Sequence, residues 1–412
     1  MLYARWMSGR LSRSLIRPYV HILFGARQTG KSTLLKDMIP PNALRFNLIE
    51  PGERSRLLAN PDSFASACRA LPQSSHPRMV FVDEAQAVPA LFDAVQSLYD
   101  EDKSRWRFVL CGSSARKLRR VGANLLPGRS FLHQLHPLTL TERPSSQTVA
   151  EEDRILPLPE TQDSKPRFPA AGLEERLAFG DLPGVAVAES EDKPEILKAY
   201  ATIHLEEEIR REALVRDWGA FVRFLPLAAS ESGQILNYSA ISQEAGVSLP
   251  TVKVYYQLLE DMFVGVRIPA YSKSPRKNLL STPKFLIFDL GVRHAAAGLT
   301  PSTDVVRADP GRYFEQWVGL ELWRRLQYLG EGALYHQRTK DGAEVDYIVE
   351  HKGRLIPIEV KWTERPSLSD ARHLMTFLEE KPKLARQGYV VCRCPRRLAL
   401  SDRITALPWW AL

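Results

Sequence analysis

Cysteine is scarce in this chain, with only Cys68, Cys111, Cys392 and Cys394 in 412 residues. Cys392 and Cys394 flank a single residue and have no histidine pair beside them, so the ligand spacing of a structural zinc site is missing. Four thiols so placed also make no disulfide framework, and reduced cysteines in a cytoplasmic protein are expected. Long apolar runs are absent too: nothing approaches the roughly 20 apolar residues of a membrane span. Arg5, Arg10, Arg13 and Arg17 crowd the first residues without the apolar stretch of a secretory signal. Acidic charge is in deficit, 48 Asp and Glu against 56 Lys and Arg, for a formal net charge of +8. That surplus suits a polyanion such as nucleic acid, although many basic proteins bind none. At 44% hydrophobic and 25% charged residues, the composition excludes a disordered chain, and the length allows two or three domains.

What is present begins with Gly25-Ala26-Arg27-Gln28-Thr29-Gly30-Lys31-Ser32-Thr33, the G-x-x-x-x-G-K-[ST] pattern. It follows the apolar run Val20–Phe24 and opens a helical pattern, Thr33–Met38. The glycines let backbone N–H groups wrap phosphates, Lys31 reaches the outer phosphate oxygens, and the Ser32 hydroxyl meets Mg²⁺. A second apolar run, Met79–Val82, ends in Asp83-Glu84. Asp83 would complete the magnesium shell and Glu84 would polarise an attacking water. ATP with Mg²⁺, hydrolysed, is the expected chemistry. A small-molecule kinase would share the loop, but the carboxylate pair suits attack by water.

The first 142 residues alternate strand-like and helical runs, as a helix-covered parallel α/β sheet does. Strands are expected at His21–Phe24, Leu44–Leu48, Val80–Asp83, Phe108–Cys111 and Phe131–Leu135, with a helix at Ala90–Tyr99. Residues 143–172 are rich in Pro, Ser, Glu and Asp and read as a linker or surface insertion. Residues 173–232 are helical, a candidate lid, and their charge run Glu206–Glu212 reads as a solvated helix face. Residues 233–300 contain a short helix closed by Gly246, a second helix at Thr251–Glu260 and a ribbon candidate, Phe263–Ile268. That order fits a winged helix-turn-helix. Ser248, Thr251, Lys253 and Tyr256 would be its DNA-reading face, unless the module only packs domains together.

Residues 301–412 carry a second chemistry. Asp346 lies in the strand-like Ala343–Val349, His351–Arg354 turns, and Leu355–Lys361 returns. Glu359 and Lys361 are two apart and share a strand face, and a hairpin brings Asp346 beside them. Two carboxylates to hold Mg²⁺ and a lysine to position the nucleophile are what metal-dependent phosphodiester cleavage requires. Glu315, in the helical pattern Tyr313–Trp323, is a further candidate ligand. The bland alternative is a salt-bridged strand edge.

Together these segments resemble the prokaryotic AAA-type ATPases whose C-terminal domain of unknown function is related to restriction-endonuclease-like nucleases. The resemblance rests on Gly25–Thr33, Val82–Gln86, Leu110–Ser114, Leu126–Arg129 with Leu135–Leu138, Phe179–Gly184, Pro283–Gly291, Phe314-Glu315 and the Asp346/Glu359/Lys361 set. It implies a P-loop NTPase core, a helical lid, a winged helix-turn-helix and a restriction-endonuclease-like α/β domain. It implies that Ser113 or Ser114 senses the γ-phosphate. It makes Arg129 the arginine that contacts phosphate, in cis or from a neighbour in a homo-oligomer. DNA is the expected partner, suited by the basic charge and the Asp346/Glu359/Lys361 set; the alternative is an ATP-dependent switch that binds DNA or a protein partner without cleaving.

Overall fold

The computed structural model describes residues 3–114, 128–147, 155–157, 165–205, 209–210, 217–272, 282–338 and 343–412. The chain divides into two compact units. The first comprises Met1–His136, Thr161–Pro166 and Asp261–Phe263; the second comprises Pro137–Glu160, Arg167–Glu260 and Val264–Leu412.

The first unit is built on strands β1 (Val20–Phe24), β2 (Leu44–Asn47), β3 (Arg78–Asp83), β4 (Trp106–Gly112) and β5 (Ser130–Gln134). They lie in the order β2-β3-β4-β1-β5, and every neighbouring pair is parallel. Apart from their ends, these are the strands expected from the sequence. Every residue of β1 is buried, as a strand covered on both faces must be. The helix Ala90–Glu101 buries Leu91, Phe92, Val95, Leu98 and Tyr99 against Val80, Val82, Trp106 and Phe108. Burial of each such side chain stabilises by about 1.5–3 kcal/mol. Parallel strands end on one edge, and β4 stands between β1 and β3. Phe24, Gly112 and Asp83 therefore finish side by side, where open α/β sheets bind ligands.

The second unit contains a two-stranded ribbon, β6 (Gly265–Ile268) against β7 (Lys284–Ile287). It also contains a six-stranded sheet of β8 (Ala333–Arg338), β9 (Glu344–His351), β10 (Arg354–Val360), β11 (Gly388–Cys392), β12 (Leu398–Ser401) and β13 (Ile404–Pro408). Its order is β12-β13-β11-β10-β9-β8. β8, β9 and β10 form an antiparallel meander, and β10, β11 and β13 run parallel. The turn between β9 and β10 is two residues, Lys352 and Gly353, with φ of 50° and 71°. Positive φ at both positions is the hairpin turn that matches strand twist.

The helix Pro310–Leu329 crosses this unit. The pattern Tyr313–Trp323 predicts an amphipathic helix; instead every residue from Gln316 to Leu322 is buried. Phe314, Trp317 and Leu320 share one core with Tyr347, Val349 and Ile358, so the helix is wrapped rather than laid on a surface. The stretch expected as a linker is also partly folded in. Ile155 and Leu156 are buried in that core, and Phe168 N donates to Glu142 O at 3.0 Å. Of the charge run Glu206–Glu212, only Ile209 and Arg210 are among the described residues.

Two motifs of the resemblance have structural roles. Asp181, 1% exposed, accepts from Arg176 Nη1 at 2.9 Å and Trp317 Nε1 at 3.1 Å. It also pairs with Arg143 at 3.4 Å and Arg324 at 3.6 Å. Its backbone N–H donates to Asp289 Oδ2 at 2.7 Å, and Asp289 Oδ1 caps the next helix through Val292 N. Phe179–Gly184 and Pro283–Gly291 are thereby tied to the central helix. Burial pushes the Asp289 carboxyl up to about 6.

Candidate functional site

In the first unit, the loop after β1 takes left-handed backbone at Gln28 and Gly30, with φ of 59° and 91°. Alternation of hand turns successive N–H groups toward one side, an anion nest. The buried Arg5 braces this loop, donating to Thr29 O and His136 O, both at 2.7 Å. Thr29 Oγ1 donates to Ala26 O at 2.8 Å. The Lys31 ammonium is buried and donates to Gly25 O at 2.8 Å and Ala26 O at 2.9 Å. Arg27 is half-buried, and Ser32 and Thr33 are exposed on the first turn of the helix Lys31–Lys36.

Ser32 Oγ donates to Asp83 Oδ2 at 3.0 Å, so the two expected magnesium ligands already meet. Glu84 follows in left-handed backbone, φ 54°, unusual for a residue with a Cβ, and its N–H donates to Asp83 Oδ1 at 3.0 Å. The Glu84 carboxylate accepts from Ser113 Oγ at 3.1 Å and from Gln86 Nε2. Gln86 Nε2 also donates to Ser113 Oγ at 3.1 Å. Ser113 and Ser114 are fully buried just beyond β4, between the phosphate loop and the carboxylates. Burial pushes the Cys111 thiol behind them far up.

Arg129 is not at this edge. Its carbonyl accepts from Val20 N at 3.0 Å, at the start of β1, and its guanidinium pairs with Asp100 Oδ1 at 2.7 Å. Because β1 and β5 are parallel, that is the opposite end of the sheet, about 16 Å from the loop at roughly 3.3 Å per residue. Arg129 therefore does not reach a nucleotide on its own chain. The expectation of action in cis fails because the motif marks a strand's start and phosphates bind at strand ends.

The helix-turn-helix residues also divide. The helices Tyr238–Ala245 and Leu249–Asp261 are joined across Gly246, φ 66°. Ser248 and Lys253 are exposed and Thr251 is half-buried; the Ser248 and Thr251 hydroxyls lie 2.8 Å apart. Tyr256, expected on the same face, is 0% exposed and packs edge-on against Phe224, Tyr238 and Phe285. Val252, Tyr255, Tyr256 and Leu259 fall at i, i+3, i+4 and i+7, the buried stripe of a helix.

In the second unit the hairpin brings its chemistry together. The β9–β10 register runs from Arg354↔His351 to Ile358↔Tyr347, and its next step sets Asp346 opposite Glu359. Asp346 Oδ2 accepts from Val360 N at 2.8 Å. Glu359 Oε1 accepts from Lys361 Nζ at 2.7 Å, while Glu359 Oε2 is buried with no hydrogen-bond partner among the described residues. Glu315 joins through Lys284, whose buried ammonium lies 2.8 Å from Glu315 Oε1 and 3.0 Å from Glu344 Oε1. Burial, then the Asp346 charge, pushes the Glu315 carboxyl up to about 7. Burial, then the Glu359 charge, pushes Asp346 up, and burial also raises Glu359. Among the described residues no group of three or more His, Cys, Asp and Glu side chains is placed to hold a metal. A cation here would rest on the facing pair Asp346 and Glu359, which the unpartnered Oε2 fits, completed by other oxygens.

Sequence reading missed Arg5, Gln86, Lys284 and Glu344. The signal for Lys284 is a charged residue inside the apolar run Pro283–Phe288, since a buried lysine requires partners. Gln86 lay within the quoted Val82–Gln86 motif but had no assigned role.

Residues 17–143 match the AAA domain family. Residues 170–303 match a domain of unknown function (DUF8612), and residues 310–412 match another (DUF4143). The chain is 27% identical over 410 residues to an uncharacterized protein of Mycobacterium tuberculosis, covering 99% of this chain and 84% of that protein. An uncharacterized protein of Haemophilus influenzae is 23% identical over 387 residues, covering 90% of this chain and 89% of its own length. Among solved structures, the Aeropyrum pernix Orc1 protein in complex with DNA matches with a TM-score of 0.29 and 14% identity, over 75% of this chain and 95% of that one. The first unit thus carries an AAA-type P-loop domain.

Proposed function

We propose that this protein binds ATP with Mg²⁺ and hydrolyses it, and that it acts on DNA with a nuclease-like C-terminal domain. The observation that carries the ATPase reading is the connected set Ser32–Asp83–Glu84–Ser113 at one sheet edge. Lys31 would exchange its carbonyl partners for the outer phosphate oxygens. Ser32 and Asp83 would hold Mg²⁺, which neutralises charge on the transferring phosphoryl group. Glu84 would orient water and accept its proton, and Ser113, already on Glu84, would report the γ-phosphate. With Arg129 remote from its own loop, an arginine supplied by a neighbour in a homo-oligomer is the form left to that expectation; specific activity rising with protein concentration would support it.

The DNA reading rests on the net charge of +8 and on exposed Ser248 and Lys253 beside Thr251. Asp346, Glu359, Lys361 and Glu315 would form the nuclease-like site, Lys361 positioning the nucleophile. A second reading is a switch that binds DNA or a protein without cutting, favoured by the Lys284 ion pairs inside that cluster. Purified protein incubated with ATP, Mg²⁺ and double-stranded DNA separates them. DNA-stimulated hydrolysis with nicks lost in Asp346→Ala supports cleavage; stimulated hydrolysis with intact DNA supports the switch. Among the described residues no helix is long and apolar enough to cross a membrane. The four cysteines are free and buried, which suits a reducing cytoplasm.

A further inference from the structure

The acidic cluster of the second unit already contains a fixed cation. We infer that the Lys284 ammonium takes the place of a second divalent ion, so that the cluster binds one divalent metal ion, between Asp346 and Glu359. This rests on the metal-dependent reading of that site given above.

Lys284 faces Glu315, Asp346 and Glu344, and Lys361 faces Glu359, Asp346 and Asp370. Two-ion centres hold their metals roughly 3.5–4 Å apart with carboxylates shared between them. Here the two other carboxylates against Lys284, Glu315 and Glu344, are both ion-paired with it and so are taken from a second ion. The oxygen left for a ligand is on Glu359, which is 6% exposed and whose Oε2 has no hydrogen-bond partner among the described residues.

Lys284 is held in place. Its backbone pairs with Ile268 in the β6–β7 ribbon, its side chain is 3% exposed, and its ammonium sits 5.5 Å from the centre of the Tyr347 ring. A tethered ammonium at that point is difficult for a dissolved ion to displace. Lys284 is a positioning residue: it confines the metal to the Asp346–Glu359 side. It also makes the site depend on a strand that lies outside the C-terminal hairpin.

The test is a Mn²⁺ titration of the full chain without nucleotide, followed by electron paramagnetic resonance, in an Asp83→Ala background that removes the other candidate metal site. With Lys284 present, one magnetically isolated Mn²⁺ is expected, lost on Glu359→Gln. Lys284→Met, or Lys284→Gln if the methionine protein does not fold, should bind two ions with an exchange-coupled spectrum. Two coupled ions with Lys284 present, or a single ion in a folded Lys284 variant, would overturn the inference. No protein-bound Mn²⁺ in any variant would instead overturn the metal-dependent reading beneath it.

Discussion

The two candidate sites differ in how they are assembled. The nucleotide site takes nearly all its groups from two contiguous stretches, Gly25–Thr33 and Asp83–Gln86, plus Ser113. A parallel sheet brings them together, because all its strands end on one edge. The acidic cluster gathers Lys284, Glu315, Glu344–Asp346 and Glu359–Lys361 from a ribbon, a helix and a hairpin. The first is a loop opened toward a ligand, with Ser32 and Thr33 exposed. The second is desolvated, and its carboxyl groups are held protonated more easily than in water. A phosphate site is made by backbone conformation, so a short motif encodes it, whereas a buried charge cluster is made by packing of distant segments.

The phosphate loop depends most on Lys31. Lys31→Ala should reduce nucleotide affinity by at least 100-fold, on the order of 3 kcal/mol for a charge-assisted contact, read by fluorescent-nucleotide titration. Retained affinity would mean that the backbone nest suffices alone. Next is the network behind the acidic cluster. Asp181→Ala removes the buried carboxylate shared by Arg176, Arg143 and Arg324 and should cost about 3–5 kcal/mol, read from denaturant unfolding. A change below 1 kcal/mol would show that the three arginines pair well enough elsewhere.

The carboxylates give a pH dependence of fixed sign. Glu315 and Asp346 have raised values in the folded state, near 7 for Glu315, against about 4 unfolded. The folded protein therefore holds protons that the unfolded chain releases, and this contribution to stability is lost as pH rises from about 4 through 7. Without divalent cations, the second unit should be more stable at pH 5 than at pH 8. Asp346→Asn, which keeps an acceptor for Val360 N–H, should raise stability at pH 8 by about 1–3 kcal/mol, at about 1.4 kcal/mol per pKa unit. A loss of stability at pH 8 would contradict the desolvated cluster. The smallest effect concerns the helix-turn-helix. Tyr256→Phe keeps the ring in its aromatic nest and should leave DNA affinity unchanged, while Lys253→Ala should weaken it and flatten its salt dependence.

Much of the first unit was legible because its signals are local. β1 is apolar but for His21, Gly30 is where the loop needs positive φ, and Asp83-Glu84 ends an apolar run. The β9–β10 pairing was equally readable, since a two-residue turn fixes its register and brings Asp346 to Glu359. Arg129 misled because the motif names a residue without saying at which end of its strand it lies. Tyr256 was assigned to the surface although its spacing from Val252 and Leu259 is that of the core. Glu315 and Glu344 were not joined because their link is Lys284, whose ribbon strand is distant in sequence from both. No periodicity reports such a contact.

Hydrolysis at this sheet edge is tested by ATP turnover of the wild-type protein and Glu84→Gln, measured with Mg²⁺ and with bound nucleotide quantified in the same samples. Wild-type phosphate release, lost by 100-fold or more in Glu84→Gln while ATP stays bound, is the result expected of a carboxylate that activates water. Equal turnover in the two proteins, or none in the wild type despite bound ATP, would contradict the assignment of this edge as a hydrolytic site.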